Sequence, residues 1–579
     1  MAKRSKAKRH SPAPGMPRPA RAEAFSWIVA LQAAVIVATA LLIYWRALSG
    51  DWLWDDDVLV TGNRELRSWE GLGQIWFSPS GTDYWPLTWT LLLVEWHLWG
   101  DAPWGYHAVS LALHICSAFL LWRLLGRLGL RWGWLGGLLL VIHPLMVESV
   151  AWVAEIKNTL SLPLFLLSCD AWLDAEEGKR RAYGKSIAFY LAAMLAKTST
   201  VMLPAVLLLY CWWKRGGVTR REIVRMIPYG VIAVALGLVT FYFQNFGGDK
   251  PPIVMGSVME RCLGAGAALC FYLGKFLLPL NLLPIYPQWT LNPPSLLGVL
   301  ALPALAVLAL ALACGRKEWE RNALFGLGFF FANALPVLGL VKMDYLRVSE
   351  VADHLAYLPI IGLIGLAVGA AELLRKQIPS SLRPYGAGAL TALFAAMVWQ
   401  SSTYSGYFTS QETLWAYTLR ANPEAWLAHY NLGMLELRKG RVAEGRAHLE
   451  AALAIRPDYP AARNNLATLL LEGGQPEQAA ELLEVNLRRH PNDSRGHNNL
   501  GNALVQLRRF PEAVEQYQEG LRLVPNDPDL HNNLAAAYCQ MGLMSEAANE
   551  FERVYQLDPY YPNIEQKLAA THQATSGQR

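Results

Sequence analysis

The chain has 579 residues, 53% of them hydrophobic and only 17% charged, with 23 tryptophans. So much apolar and so little charged residue excludes an ordinary soluble enzyme and indicates a membrane protein with room for several domains. The net charge of +5 is no argument for a nucleic-acid partner, because the basic residues cluster at the ends of apolar runs.

Residues 1–24 are basic and proline-rich from Lys3 to Arg21, which reads as a disordered cytoplasmic tail. The run Phe25–Trp45 follows. Ala38-Thr39-Ala40 mimics a signal-peptidase site, but the apolar stretch continues past it, so an uncleaved first span is expected. Just beyond stands Trp52-Leu53-Trp54-Asp55-Asp56-Asp57. Three adjacent carboxylates at a membrane exit repel one another and need water, a cation or a basic substrate group. A solvated acidic loop would read the same way.

Further apolar runs lie near 104–125, 132–151, 158–173, 186–213, 226–245, 258–280, 296–314, 322–341, 351–371 and 385–402. Basic clusters at Arg123/Arg127/Arg131, Lys179–Lys185, Lys214–Arg225, Arg316–Arg321 and Arg375–Arg383 mark cytoplasmic ends. The stretch 186–213 is basic at both ends and should cross twice, turning at Lys197-Thr198-Ser199-Thr200. Residues 258–280 upset the alternation and are read as re-entrant or interfacial, which gives roughly 11 spans. The outer face then collects the loop 46–103, the turn His143–Asn158, the Lys197 turn and the loop Lys342–His354. The seven cysteines are scattered, without CxxC or paired spacing, so neither a disulfide framework nor a zinc site is indicated. No dinucleotide or phosphate-loop fingerprint appears either.

After about residue 405 the pattern changes. Prolines 423, 457, 491, 525 and 559 stand 34 apart. Leu432/Leu466/Leu500/Leu534, Gly433/Ala467/Gly501/Ala535 and Leu449/Leu483/Tyr517/Phe551 keep the same register. This is the tetratricopeptide pattern of paired helices, with repeats 426–459, 460–493, 494–527 and 528–561 and a half-repeat helix near 410–422. An odd number of spans puts this solenoid, 405–579, outside the cytoplasm. Asn431, Asn465, Asn499 and Asn533 form one column. They could bind an extended peptide backbone through donor and acceptor together, or they could join helix to helix.

These residues resemble a known family. Trp54-Asp55-Asp56-Asp57-Val58 with Asn63, Tyr84-Trp85-Pro86-Leu87-Thr88-Trp89, Gly105-Tyr106-His107 through His114, and His143-Pro144 through Trp152 carry the likeness. So do Glu155-Ile156-Lys157-Asn158, Ala196-Lys197-Thr198 and Ala352-Asp353-His354 through Pro359. Together they look like bacterial members of the transmembrane and tetratricopeptide-repeat (TMTC-like) protein O-mannosyltransferases, of the GT-C glycosyltransferase class.

The resemblance implies an all-α fold, with a multispan GT-C-like bundle over 25–404 followed by the solenoid, in a bacterial inner membrane. It implies an inverting transferase that moves mannose or a similar hexose from a polyprenyl-phosphate lipid to Ser or Thr of an extracytoplasmic polypeptide. Asp55 would be the base and Asp56 its orienting partner, with a divalent cation, if one is used, on this pair. Lys157, Lys197, Arg347 and His354 would neutralise the lipid phosphate. Relatives usually read Arg where His354 stands, and a neutral His cannot clamp phosphate as a guanidinium does. Asp57, His143, Glu148, Glu155, Asn158, Asp353 and Tyr357 complete the candidate cavity. Two other readings stay open: a lipid or polysaccharide acceptor, and a non-catalytic envelope scaffold that binds proteins through its repeats.

Overall fold

The computed structural model describes residues 27–78, 83–246, 255–290, 296–315 and 317–577; the basic tail expected at 1–24 lies outside them. Among the described residues every regular element is helical. Helix α1 (Trp27–Tyr44) is followed by the short α2 (Gly71–Phe77) and by α3 (Pro86–Trp99), both within the stretch 46–103. Proline at the first position starts both α3 and α4 (Pro103–Arg127), where a missing N–H costs nothing. Helix α5 (Gly133–Ile142) packs on α4 so closely that a Cβ at Gly137 would stand 2.6 Å from the Ala118 carbonyl oxygen. Small residues allow this approach where lipid supplies no hydrophobic drive between helices. Pro144 ends α5, and α6 (Val147–Ala151) leaves at a bend of 62°.

Next come α7 (Ile156–Glu176), α8 (Ala182–Ala196) and α9 (Leu203–Arg215), then α10 (Arg220–Arg225) and α11 (Ile227–Phe246). The chain breaks between α8 and α9 at Lys197, where the stretch 186–213 was expected to turn. Most of 258–280 forms one unbroken helix, α12 (Val258–Leu277), held at its start by a Ser257/Glu260 capping box. The break of more than 40° between apolar helices lies at α5–α6. The bundle ends with α13 (Leu296–Cys314), α14 (Glu318–Ala334), α15 (Ile360–Gln377) and α16 (Arg383–Ser405). Gly362 of α15 is another close approach, since its Cβ would meet the Gly326 carbonyl oxygen of α14 at 2.3 Å.

Among the described residues, three helices (α1, α4 and α11) are long and apolar enough to cross a membrane, or four if the bent pair is one span. Roughly 11 is not reached on that measure. Helices α8 and α9 have 15 and 13 residues, short of the roughly 20 a span needs. Others carry charge within their apolar stretches, such as Glu260, Arg261 and Lys275 on α12.

The solenoid runs from the half-repeat α17 (Gln411–Ala421) through four pairs: α18 (Trp426–Arg438) and α19 (Val442–Ile455), α20 (Pro460–Glu472) and α21 (Pro476–Arg489), α22 (Ser494–Gln506) and α23 (Phe510–Leu523), α24 (Pro528–Gln540) and α25 (Met544–Leu557). Helix α26 (Ile564–Gly577) closes the series. The small position of each repeat is where its two helices touch; a Cβ at Gly501 would run into the Tyr517 ring at 2.4 Å. A second 34-residue column joins each repeat's first helix to the preceding proline. His429, His497 and His531 each reach the carbonyl of the proline six residues earlier (3.0–3.1 Å) through Nε2, and Arg463 reaches Pro457 likewise. Their other nitrogens hold the second helix, His497 on Gln516 (2.8 Å) and His531 on Glu550 (2.6 Å). The regular proline thus supplies an acceptor as well as a stop.

Bundle and solenoid share one apolar core, to which Leu414, Trp415, Ala425 and Ala428 contribute. Tyr417 donates to the Leu282 carbonyl (2.7 Å) and Asn422 to that of Ile285 (3.2 Å).

Candidate active site

Asp56 is fully buried, and both its carboxylate oxygens accept backbone N–H groups, Oδ2 from Leu53 (2.9 Å) and Oδ1 from Ala154 (2.7 Å). It ties the acidic loop to the turn between α6 and α7. Burial and the adjacent Asp55 push its carboxyl up, against those two donors. Each oxygen of Asp56 is thus engaged by a backbone donor. Among the described residues no three His, Cys, Asp or Glu side chains converge as a cation cage.

Asp55 differs. Its Oδ1 is buried without a hydrogen-bond partner. Burial raises its carboxyl to about 6, with Lys157 pulling it down, Glu155 pushing it up and His354 pulling it down. Such a carboxylate is basic near neutral pH and lies within electrostatic reach of a lysine. Asp57 turns outward to the solenoid, where Gln411 donates to Oδ2 (3.4 Å) and Arg438 stands at 4.0 Å.

The centre of the site is Glu155. Lys157 lies 2.8 Å from its carboxylate, Lys197 3.6 Å and His354 Nε2 3.9 Å. Burial raises its carboxyl, but His354, Lys157 and Lys197 together outweigh that and hold it at about 2. Burial pulls Lys197 down to about 8. Lys157 is raised, because Glu155 and Asp55 outweigh its burial. Asn158 links the parts. Its two amide N–H groups are shared among Glu155 (2.7 Å), Ser149 (3.1 Å) and the His354 carbonyl (3.1 Å), while its oxygen accepts from Lys197 (2.5 Å). Helix α7 begins at Ile156, so Glu155, Lys157 and Asn158 sit in and just before its first turn. Trp85 covers Lys157 with its ring face at 4.9 Å, and Thr88 donates to the Ala196 carbonyl (2.9 Å), fixing α3 to the Lys197 turn. The motif Tyr84-Trp85-Pro86 thereby acquires a role that the sequence reading gave to no residue in it.

His354 is held by Glu148, which accepts the His354 backbone N–H (2.9 Å) and stands 3.1 Å from its Nδ1. The ring N–H is not aimed at that oxygen, so the ring pair is an ion-pair distance rather than a hydrogen bond. Asp353 faces away from the lysines and accepts Tyr286 (2.8 Å) and Tyr404 (3.1 Å).

Three candidates lead elsewhere. His143 Nδ1 accepts the Leu145 N–H (3.3 Å), which leaves Nε2 to donate to the Phe276 carbonyl (3.1 Å), so both nitrogens fix the bend. Tyr357 meets His114 inside the bundle at 2.7 Å. Arg347 pairs with Asp344 at 3.6 Å, and its carbonyl accepts Arg456 of the solenoid (3.1 Å). The asparagine column bonds between repeats: Asn465 donates to Tyr430 (3.2 Å), Asn499 to the Asn464 carbonyl (3.5 Å) and Asn533 to Asn498 (2.9 Å), while the Asn431 amide nitrogen is buried without a partner.

One residue of the acidic motif was given no role in the sequence reading. Trp54 has φ of +47°, a left-handed conformation costly for a bulky side chain. Its ring stacks on Trp152 (4.8 Å, 12°) and meets fully buried Trp415 of α17 edge-on (5.1 Å). The solenoid thus holds the residue beside Asp55. A lone tryptophan in a degenerate half-repeat was the available signal.

A buried lysine–carboxylate cluster at one end of a helical membrane bundle, continued by a tetratricopeptide solenoid, defines the class of protein. Tetratricopeptide family models match residues 411–460, 436–503 and 501–542. Human "Protein O-mannosyl-transferase TMTC4" is 25% identical over 485 residues, 70% of this chain and 64% of the relative. The Caenorhabditis elegans "Protein O-mannosyl-transferase F38B6.6" is 21% identical over 73% of this chain and 63% of its own length. The matched part is thus under two thirds of each of these relatives. Among solved structures, MamA from Desulfovibrio magneticus RS-1 (TM-score 0.24, 21% identical, 26% of this chain and 88% of that one) is similar. So is YrrB, titled "a TPR protein with an unusual peptide-binding site" (TM-score 0.25, 20% identical, 27% and 82%). The chain resembles the TMTC-like proteins and carries tetratricopeptide repeats.

Proposed function

We propose that this protein is an inverting membrane glycosyltransferase that moves a hexose from a polyprenyl-phosphate lipid to Ser or Thr of an extracytoplasmic polypeptide. The observation that carries the reading is Asp55, with an unpartnered buried oxygen, set beside the Glu155-centred group of Lys157, Lys197 and His354. Asp55 accepts the proton of the acceptor hydroxyl as that oxygen attacks the anomeric carbon. The bond to the lipid phosphate breaks on the opposite face, and the two ammonium groups take up the charge of the leaving phosphate. The reading takes roughly 11 spans, with the N-terminus inside and the solenoid outside. The solenoid recruits the polypeptide. Its asparagine amide groups join repeat to repeat, which leaves the side-chain oxygens of Asn465 and Asn499 to meet a peptide N–H.

The test is glycoproteomics of the envelope with and without the gene, complemented by wild type or Asp55→Asn. Loss of hexose from Ser/Thr peptides, restored only by wild type, is the expected result. An unchanged glycopeptide set accompanied by a change in envelope lipid or polysaccharide would move the reading to those acceptors.

A further inference from the structure

Helix α4 runs for 25 residues, about 37 Å at 1.5 Å per residue. It begins beside the acidic loop and ends among basic residues, which fall into two groups with different surroundings. In the first, acids answer the cations. Arg127 meets Asp170 (2.7 Å), Asp174 (2.9 Å) and Glu177 (2.6 Å), Lys179 meets Asp174 (2.7 Å), and Glu176 takes both Arg215 and Arg225. In the second, Arg131, Arg375, Lys376 and Arg383 surround a cavity of about 110 Å³ together with Trp132 and Glu372.

Glu372 is the single acid lining the cavity, and one of its oxygens accepts the Trp132 backbone N–H (2.6 Å). Among the described residues no carboxylate pairs with Arg131, Arg375, Lys376 or Arg383. Arg375 lies over the Trp132 ring at 5.2 Å, and Arg383 donates through Nε to the Ile378 carbonyl (3.3 Å). Topogenic charge alone accounts for both groups lying at this end. It does not account for one being neutralised in place while the other is left with excess positive charge around a concave site. Leu373, Leu374, Leu382 and Tyr385, next in sequence to or close to the lining residues Glu372, Arg375 and Arg383, are exposed, so apolar side chains stand on the same two segments as the basic ones.

We propose that this cavity binds a phosphate-bearing anion, and that these apolar side chains select the head group of an anionic phospholipid, with its acyl chains against Leu374 and Leu382. Guanidinium groups suit phosphate oxygens, and tryptophan suits the membrane interface. The inference is independent of the glycosyltransferase reading, since the site lies at the opposite end of α4.

The experiment follows the melting temperature of the full-length protein in detergent, with added dioleoyl-phosphatidylglycerol, dioleoyl-phosphatidylcholine or sodium phosphate. Phosphatidylglycerol should raise it saturably by a few degrees while the other two do not. The rise should vanish in Arg131→Gln/Arg375→Gln/Lys376→Gln and persist in Lys214→Gln, a control from the same basic end. Should the triple variant fail to fold, Arg375→Gln alone should shift the midpoint to higher lipid concentration. An equal rise with sodium phosphate would overturn the lipid source and leave a site for free phosphate. No rise with phosphatidylglycerol in wild type, or an unaltered one in the folded variants, would overturn the site.

Discussion

Adjacent carboxylates Asp55 and Asp56 have different surroundings, and substitution should separate them. Asp55→Asn removes a proton acceptor that makes no hydrogen bond through its buried Oδ1. Turnover should fall about 10²–10⁴-fold, with membrane abundance unchanged. Asp56→Asn keeps one acceptor but points an amide donor at a second N–H donor. A buried donor left unsatisfied costs about 1–3 kcal/mol, so this variant should melt earlier or accumulate less. A stable, inactive Asp56→Asn protein would contradict the assignment of Asp56 as a tie. The pH profile of kcat/KM should be bell-shaped. Asp55 must be ionised, so activity falls as pH drops through about 6; Lys197 must be protonated, so activity falls again as pH rises through about 8. Lys197→Arg keeps its charge at every working pH and should remove the alkaline limb, which rate measurements between pH 5 and 9.5 would detect. The raised Asp55 value also works against stability. The folded state binds its proton more tightly, so this group's contribution to stability is present at low pH and lost as pH rises towards about 6.

At the scale of elements, α17 joins the solenoid to the acidic loop through Trp415, which is fully buried, and through Gln411 on Asp57. Trp415→Ala should lower turnover even with a short free peptide that has no need of the repeats, because Trp54 loses the wall that keeps it left-handed. Trp415→Phe should retain most of the activity. The readout is a kcat effect at unchanged KM, with loss of the near-ultraviolet dichroism of the Trp54–Trp152 stack; a pure KM effect would make α17 an acceptor-docking element only. The repeat-locking column gives a second test. His497→Ala removes bonds to Pro491 and Gln516. At about 0.5–1.5 kcal/mol each, their loss should lower the melting temperature of the solenoid by a few degrees.

For the whole molecule, the shared core through Trp415 and Ala428 makes the bundle and first repeat one body, so topology assigned to either end applies to the other. A single cysteine at Asn526, in a background with the seven native cysteines replaced, should react with an impermeant thiol reagent in intact spheroplasts. Labelling only after the membrane is broken would put the repeats in the cytoplasm and remove their acceptor-presenting role.

Much of this organisation is written in the chain itself. The 34-residue spacing of prolines and small residues determines paired helices, because only small side chains fit where the two helices of a repeat touch and proline cannot continue a helix. Long apolar runs with basic ends point to a membrane bundle, and Lys157 and Lys197 were legible as cations gathered on its outer face. What the chain could not express was which polar neighbours these groups would meet. Glu155 and Glu148 look alike in sequence, yet one gathers Lys157, Lys197 and His354 while the other orients His354. His143 and Arg347 have the right chemistry for the site but face other partners. Asp55 and Asp56 are neighbours of one residue type, yet Asp56 is bound through both oxygens while Asp55 Oδ1 has no partner. Local propensity and burial act over a few residues and leave a pattern in the sequence. Hydrogen-bond pairing across 98 residues, as from Ala154 to Asp56, is set only when α6, α7 and the acidic loop have packed.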